Sequence, residues 1–304
     1  MNNKSGNAEF DVIVVGGSYA GLSAALQLAR ARCRVLVIDA NRRRNRYAHR
    51  SHGFLTQDGS EAAAIAADGR AQLQAYPTVA WANDTAIGAV ADGDGFRITL
   101  GDGGSVSGQR LVLATGVVDT LPPVDGLQER WGKSVFHCPY CHGYELDQGE
   151  IGVIAAVPMS IHQAQLLPEW GTVTFLLNEA IELDAAAREE LVARGVRIEE
   201  TPIARIEGHA DVVLADARRL SFAGLFTASL NAPSTPIAQT LGCALMETPM
   251  GTQLQTSDAK ETSVEGVFAC GDVARMPHSV SLAVADGAWA GAQIHRTLVW
   301  PTAG

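Results

Sequence analysis

The sequence predicts an α/β fold with two parallel sheets, and three observations predict it. DVIVVGG is an apolar run ended by glycines, LSAALQLARA follows with helical spacing, and RVLVIDA is a second apolar run ended by an acid. That order is strand, glycine turn, helix, strand, a βαβ unit. IGVIAAV, SIHQAQLLPEW and TVTFLLN repeat the same order further along. At 304 residues the chain is long enough for two domains of ordinary size, one around each unit.

Between the two units, VAWANDTAIGAVADGDGFRITLGDGGSVSGQRLVLATG reads as short strands joined by Gly/Asp turns. LPPVDG is expected to cross from one domain to the other, and LFTASLNAPSTP, rich in small and turn residues, to cross back. GVFACGDVA reads as a strand meeting a glycine turn, and SVSLAVADGAWAGAQIHRTL as an apolar helix. The leading MNNKSGNAEFD is polar and expected to fray.

Composition is that of a soluble globular protein, 47% hydrophobic and 18% charged. A net charge of −10 argues against a general nucleic-acid or membrane-surface role. Val12 to Ala29 carries no charge, but its glycines, serines and Gln27 favour a buried strand and helix over a membrane span. No secretory signal is visible, and five scattered cysteines make no disulfide framework, so a reducing, cytoplasmic compartment is expected.

The first turn, Gly16-Gly17-Ser18-Tyr19-Ala20-Gly21, fits G-x-G-x-x-G with Ser18 at the second glycine position. Gly16 permits the tight turn, Gly21 lets helix and strand approach, and the helix N-terminus offers free N–H groups to a pyrophosphate. Asp39 ends the second strand, where an acid accepts hydrogen bonds from a ribose. The alternative is an ordinary strand–helix turn. A basic cluster follows at Arg42, Arg43, Arg44, Arg46 and Arg50. Most of these fit a solvated loop, while one or two could reach dinucleotide phosphates, with Arg46 the candidate.

GGSYAG, LATG at 113–116, a C-x-x-C near the middle and CGDVA at 270–274 appear in that order over nearly the whole chain. Together they resemble the low-molecular-weight thioredoxin reductase family of FAD-dependent pyridine nucleotide-disulfide oxidoreductases. The resemblance implies two Rossmann-like dinucleotide-binding domains. An FAD domain would be built from residues 1–121 and 233–304, with an inserted NAD(P)H-type domain over 122–232 carrying the C-x-x-C. It implies that Gly16, Ser18, Tyr19, Ala20, Gly21, Asp39 and Ala40 hold the ADP half of FAD, with backbone near Ala86 at the adenine. Gly116 would mark a strand end near the crossover. Gly271 and Asp272 would bind the ribityl and phosphate portion, and the helix opening at Ser279-Val280-Ser281 would face the flavin's pyrimidine edge. Family members usually carry Arg-Gln near His278-Ser279, a departure in this chain. More narrowly, CPYCHGYE at 138–145 resembles the branch that includes the gliotoxin- and holomycin-type dithiol oxidases, because His142 stands where ordinary thioredoxin reductases have aspartate.

A zinc site needs about four ligands and a single C-x-x-C supplies two, so no metal is expected. As a redox pair, Cys138 sits at a predicted helix start with Pro139 in the first helical position, where its missing N–H costs nothing. A helix N-terminus stabilises thiolate. The resemblance places Cys141 against the flavin and gives Cys138 the exchange with substrate. His142 is the candidate acid–base partner, since an imidazole with an ordinary pKa of about 6.5 can take a proton from a thiol at neutral pH. Packing near the helix start is the alternative for His142, while His137 and Glu145 have weaker claims.

In the second unit Ala155, Val157 and Ser160 occupy the positions of a G-x-G-x-x-A turn, and Pro158 removes a donor. Leu177-Asn178-Glu179 stands where the family offers His-Arg-Arg to the 2′-phosphate of NADPH. NAD(P)H use is therefore doubtful. The expected function is an FAD-dependent enzyme that cycles Cys138 and Cys141 against small dithiol or disulfide substrates, or a thioredoxin-like protein, without ordinary NADPH use. A conventional NAD(P)H-dependent reductase and a flavin-bound redox sensor are the alternatives. The resemblance implies a homodimer.

Overall fold

The computed structural model describes residues 9–300. The polar leader through residue 8 lies outside the described residues. Strand β1 (Phe10–Val15) runs parallel to β2 (Val35–Ile38) and to the strand Ser105–Leu113. Helix α1 (Tyr19–Arg30) connects β1 to β2 across one face. Val79–Ala82 joins the far side of β2, and Val267–Ala269 pairs in parallel with Ser105–Leu113. The antiparallel strands Gly95–Leu100 and Ala86–Asp92 complete this seven-stranded sheet.

The register places Val15 opposite both Ile38 and Leu113. The carboxyl ends of three strands thus lie level, bringing Gly16, Asp39 and Ala114 to one edge, where ligands bind in open α/β sheets. The long helix Val280–Val299 packs against α1 at close range. A Cβ on Gly287 would stand 2.1 Å from the Ala20 carbonyl oxygen, so no larger residue fits that crossing. Apolar layers on the two faces of the sheet, one around Val12, Val14 and Leu28 and one around Ile13, Ile98 and Leu111, bury it from both sides.

A second, wholly parallel sheet has the order Val135–Phe136, Gly224–Thr227, Glu150–Ile154, Thr172–Leu176, Arg197–Glu199. The sequence read LFT as the start of a crossing loop. The structure instead makes it part of a central strand, because Leu225, Phe226 and Thr227 are completely buried between helices and a small antiparallel sheet. Val117–Thr120, which immediately precedes LPPVDG, runs antiparallel to Leu230–Pro233, within the segment expected to cross back. Among the described residues no helix is long and apolar enough to cross a membrane.

Candidate active site

A cleft of about 470 Å³ opens at the level edge of the first sheet. The glycine turn enters it first. Gly16 has a φ of +103°, and a Cβ there would stand 2.3 Å from the Ala114 carbonyl oxygen. Only glycine fits, and the backbone that results is bare toward the cleft. Ser18 starts α1, and Ser18, Tyr19, Ala20, Asp39, Ala40, Ala86 and Gly116 all line the cavity. Gly21 sits behind it, packed on the Gly16 carbonyl, where it sets the helix–strand distance. Tyr19 is tied down by two hydrogen bonds: its hydroxyl donates to the Ala62 carbonyl and accepts from the Asn45 amide.

From the opposite side come Gly271, Asp272, Ser279 and Val280. Gly271 has a φ of +76°, and a Cβ there would meet Ala20 at 2.7 Å. The Ser279 hydroxyl caps the long helix by accepting from the Leu282 N–H at 3.1 Å, so it is committed to the helix start.

The basic cluster is sorted by its surroundings. Arg46 lines the rim of the cleft, exposed, with its guanidinium 4.3 Å above the Tyr47 ring and a hydrogen bond to the Arg43 carbonyl. Arg44, which sequence reasoning did not single out, is the arginine the fold buries. It grips Asp119 with Nε and Nη2 at 2.8 and 2.6 Å, and Nη1 reaches Asp272 at 3.0 Å and His278 Nδ1 at 2.6 Å. Burial works against the Asp119 carboxylate, yet the Arg44 guanidinium holds that carboxyl below the usual range. Ser229, just before the Leu230–Pro233 strand, also donates to Asp119, at 2.7 Å. One guanidinium thus joins the segment after β2 to Asp119 and to the turn that carries Asp272. No local pattern in the sequence marks Arg44 among its neighbours.

The dithiol arrives from the second sheet. The strand Val135–Phe136 ends directly before His137 and Cys138, and Pro139 opens a single helical turn, Pro139–His142, with Cys138 at its N-cap. Both sulfurs line the cleft, half-buried. Cys141 Sγ donates to Cys138 Sγ at 2.8 Å. That hydrogen bond, with the backbone N–H groups of Cys141 and Tyr140, brings the Cys138 thiol down to about 7 against the cost of burial, and Arg44 adds its charge. Cys141, as donor and by burial, is pushed well above the ordinary thiol range. Cys138 is therefore the more acidic thiol of the pair.

His142 departs from the sequence expectation. Its Nδ1 lies against the Cys141 carbonyl and its ring stands edge-on to Phe136, with centroids 4.3 Å apart. Burial, aided by nearby His52, drives its pKa down to about 4 rather than leaving it near neutrality. Nδ1 carries the proton toward the carbonyl, which leaves Nε2 as an acceptor. His137 is more deeply placed: burial, with Arg44 adding to it, takes its pKa to about 3. Gln163 holds the His137 carbonyl at 2.8 Å. If His142 accepts a thiol proton, His142→Ala will slow turnover by ~10²-fold or more at neutral pH, within the range of general acid–base catalysis. The wild-type rate will fall as pH drops through the imidazole pKa of about 4, because the protonated ring no longer accepts. A variant with wild-type rate and the same acid limb would return His142 to packing alone.

Two nucleotide-type lobes with a hydrogen-bonded dithiol in one cleft define an oxidoreductase that acts on sulfur groups. The chain belongs to the pyridine nucleotide-disulphide oxidoreductase family, whose profile matches residues 10–287. It is 31% identical over 307 residues to thioredoxin reductase sirT of Leptosphaeria maculans, covering 94% of this chain and 93% of that one. Among solved structures, an oxidoreductase from Agrobacterium tumefaciens shares 54% identity at a TM-score of 0.94, over 96% of this chain and 99% of the other. A putative thioredoxin reductase TrxB from Bacillus anthracis shares 27% identity at a TM-score of 0.90, over 95% and 98%. The protein is thus a thioredoxin reductase-like enzyme, and its cofactor is the FAD of that family. The cleft fits such a group. Its walls are bare backbone at Gly16 and Gly271, and Arg43 Nε and Asn45 Oδ1, on two lining residues, are buried without a hydrogen-bond partner.

Proposed function

We propose that the protein is an FAD-dependent dithiol–disulfide oxidoreductase that does not rely on NADPH. It exchanges Cys138 and Cys141 with small dithiol or disulfide substrates, or with a thioredoxin-like protein. The observation that carries this reading is the Cys138–Cys141 contact at 2.8 Å within the cleft that Gly16, Asp39 and Asp272 also line. Gly16 to Gly21, Asp39 and Ala40 would hold the adenosine diphosphate half of FAD. Gly271, Asp272 and the start of the helix at Ser279-Val280 would hold the remainder. When bound, FAD supplies two-electron acceptance or donation to the pair.

The protein's own part is thiol exchange. In the oxidative direction a substrate thiolate attacks Cys138 Sγ of the oxidised pair, and Cys141 leaves as thiolate. The second substrate thiolate then displaces Cys138, so the substrate gains a disulfide while the pair keeps two electrons. Two protons are lost by the substrate thiols, and His142 Nε2 is the acceptor proposed for one of them. The reverse sequence reduces a disulfide. The second lobe supports this use: Gln163, on the helix of its βαβ unit, holds the carbonyl just before Cys138.

The test is anaerobic addition of dithiothreitol to the purified, FAD-loaded protein. Loss of the flavin's visible absorbance is expected, complete by two dithiols per flavin, since the disulfide and the flavin each take two electrons. An unbleached spectrum with both cysteines titratable would favour a flavin-bound protein without dithiol turnover.

A further inference from the structure

Behind the turn that carries Asp272 lies a buried ion pair, Lys260 with Asp286, that the thiol chemistry does not use. Lys260 Nζ stands 3.1 Å from Asp286 Oδ1, and both side chains are only 11% exposed. The turn Gly271–Ala274 is held by this pair at both ends. At its start, the Gly271 N–H donates to Asp286 Oδ2 at 2.8 Å. At its end, Lys260 Nζ donates to the Ala274 carbonyl at 3.4 Å. The Lys260 carbonyl also accepts from the Ala269 N–H, one residue before Cys270.

The segment bearing Lys260 is fastened to the same long helix that bears Asp286, through Trp289 Nε1 to the Asp258 carbonyl at 2.7 Å. Lys260 itself has a φ of +65°. A residue with a Cβ is held in that left-handed conformation only where its surroundings over-determine it. Here two backbone hydrogen bonds hold it, Lys260 N–H to the Ser257 carbonyl at 2.9 Å and Ala269 N–H to the Lys260 carbonyl at 3.0 Å, while the ammonium's partners fix the side chain. Cys270 lies within this assembly, fully buried, and its thiol is pushed up to about 12 by burial and by Asp286, so it takes no part as a nucleophile.

We infer that Lys260 and Asp286 are positioning residues for FAD: they set the height and tilt of the Gly271–Ala274 turn, and so place the Asp272 carboxylate in the cleft. The inference rests on the assignment of that turn to FAD made above. A buried ion pair is by itself weak support for stability, and an apolar pair of similar volume often replaces one without loss. What this pair gives the turn is two hydrogen bonds.

That contrast supplies the experiment. In Lys260→Met/Asp286→Leu no charge is left unpaired, but Gly271 N–H loses its acceptor and the Ala274 carbonyl its donor. Apo-protein would be prepared and FAD binding followed by quenching of flavin fluorescence, with thermal unfolding of the apo-protein measured in parallel. The double variant is expected to lose some thermal stability, because two buried backbone groups lose their partners, and, at a temperature where it is fully folded, to bind FAD about tenfold or more weakly, the worth of one hydrogen bond to a charged group. Asp286→Asn, nearly isosteric, is expected to shift affinity in the same direction and keeps the question open to measurement should the double variant fold poorly. Wild-type FAD affinity in either variant would overturn the inference. Asp272→Ala separates the two levels of the argument. If it too binds FAD like wild type, the turn's assignment has failed; if it binds weakly while the brace variants do not, only the brace has failed.

Discussion

Cys141→Ser will abolish electron exchange between substrate dithiol and flavin, a loss on the order of 10⁴-fold or more, as expected when one half of a catalytic pair is removed. Cys138→Ser will lose exchange with substrate to the same degree but will differ in colour. In the native protein Cys141 is kept a thiol first by the hydrogen bond it donates to Cys138, and then by burial. Removing the Cys138 sulfur removes the first of these. Arg44 in the same cleft favours the Cys141 thiolate. The Cys138→Ser protein should therefore form that thiolate as pH rises and show a broad long-wavelength charge-transfer absorption. A band in Cys141→Ser and none in Cys138→Ser would reverse the two roles.

The second large effect concerns the electron source: NADPH will be a poor reductant. The sequence pointed to Val157, Pro158 and Glu179 as defects in the second nucleotide turn, and the structure adds a more direct one. The N–H groups of Ala156 and Val157, which open that turn, already donate to the Ser160 hydroxyl at 3.0 and 3.3 Å, and Ser160 is completely buried. Donors committed inside the turn are not offered to a pyrophosphate. Pro158, which precedes the helix Met159–Leu166, has no N–H to add. At the end of the next strand, the Asn178 side chain is engaged with the Ile203 N–H at 2.8 Å, and Glu179 is exposed on the turn. Two missing charge-assisted hydrogen bonds are worth about 3 kcal/mol, or on the order of a hundredfold in affinity. In anaerobic stopped-flow mixing, NADPH at micromolar concentration should leave the flavin oxidised over the time in which a dithiol bleaches it. NADH should do only somewhat better, because Glu179 can accept from a plain ribose but opposes a 2′-phosphate. Rapid, saturable bleaching by micromolar NADPH would restore the conventional reductase reading.

Much of the site was legible in the sequence because its signals are short in range. A glycine forced to positive φ at Gly16, an acid at the end of the next strand and a proline at the first position of a helical turn are each set by a few consecutive residues. Runs of β-branched and apolar residues marked the strands for the same reason. LFT was misread because small and turn residues on its C-terminal side outweighed three residues whose burial depends on neighbours far along the chain. His142 was assigned an ordinary imidazole pKa because nothing in CPYCHGYE says that Phe136 and the fold around it will desolvate the ring.

The sequence alone determined the two βαβ units, the glycine turn with Asp39, the order of the motifs and the geometry available to Cys138-Pro139-Tyr140-Cys141, since backbone sterics and spacing act within a few residues. Tertiary structure alone decided which arginine is locked into ion pairs in the cleft: Arg44 meets Asp119 across 75 positions and Asp272 across 228. It also decided that Lys260 and Asp286 are buried against each other, that the Cys138 thiol is lowered while the Cys141 thiol is raised, and that burial lowers the His142 imidazole. Charge pairing, hydrogen-bond donation and desolvation depend on distances through space, and those distances exist only once the two sheets and their crossings are in place.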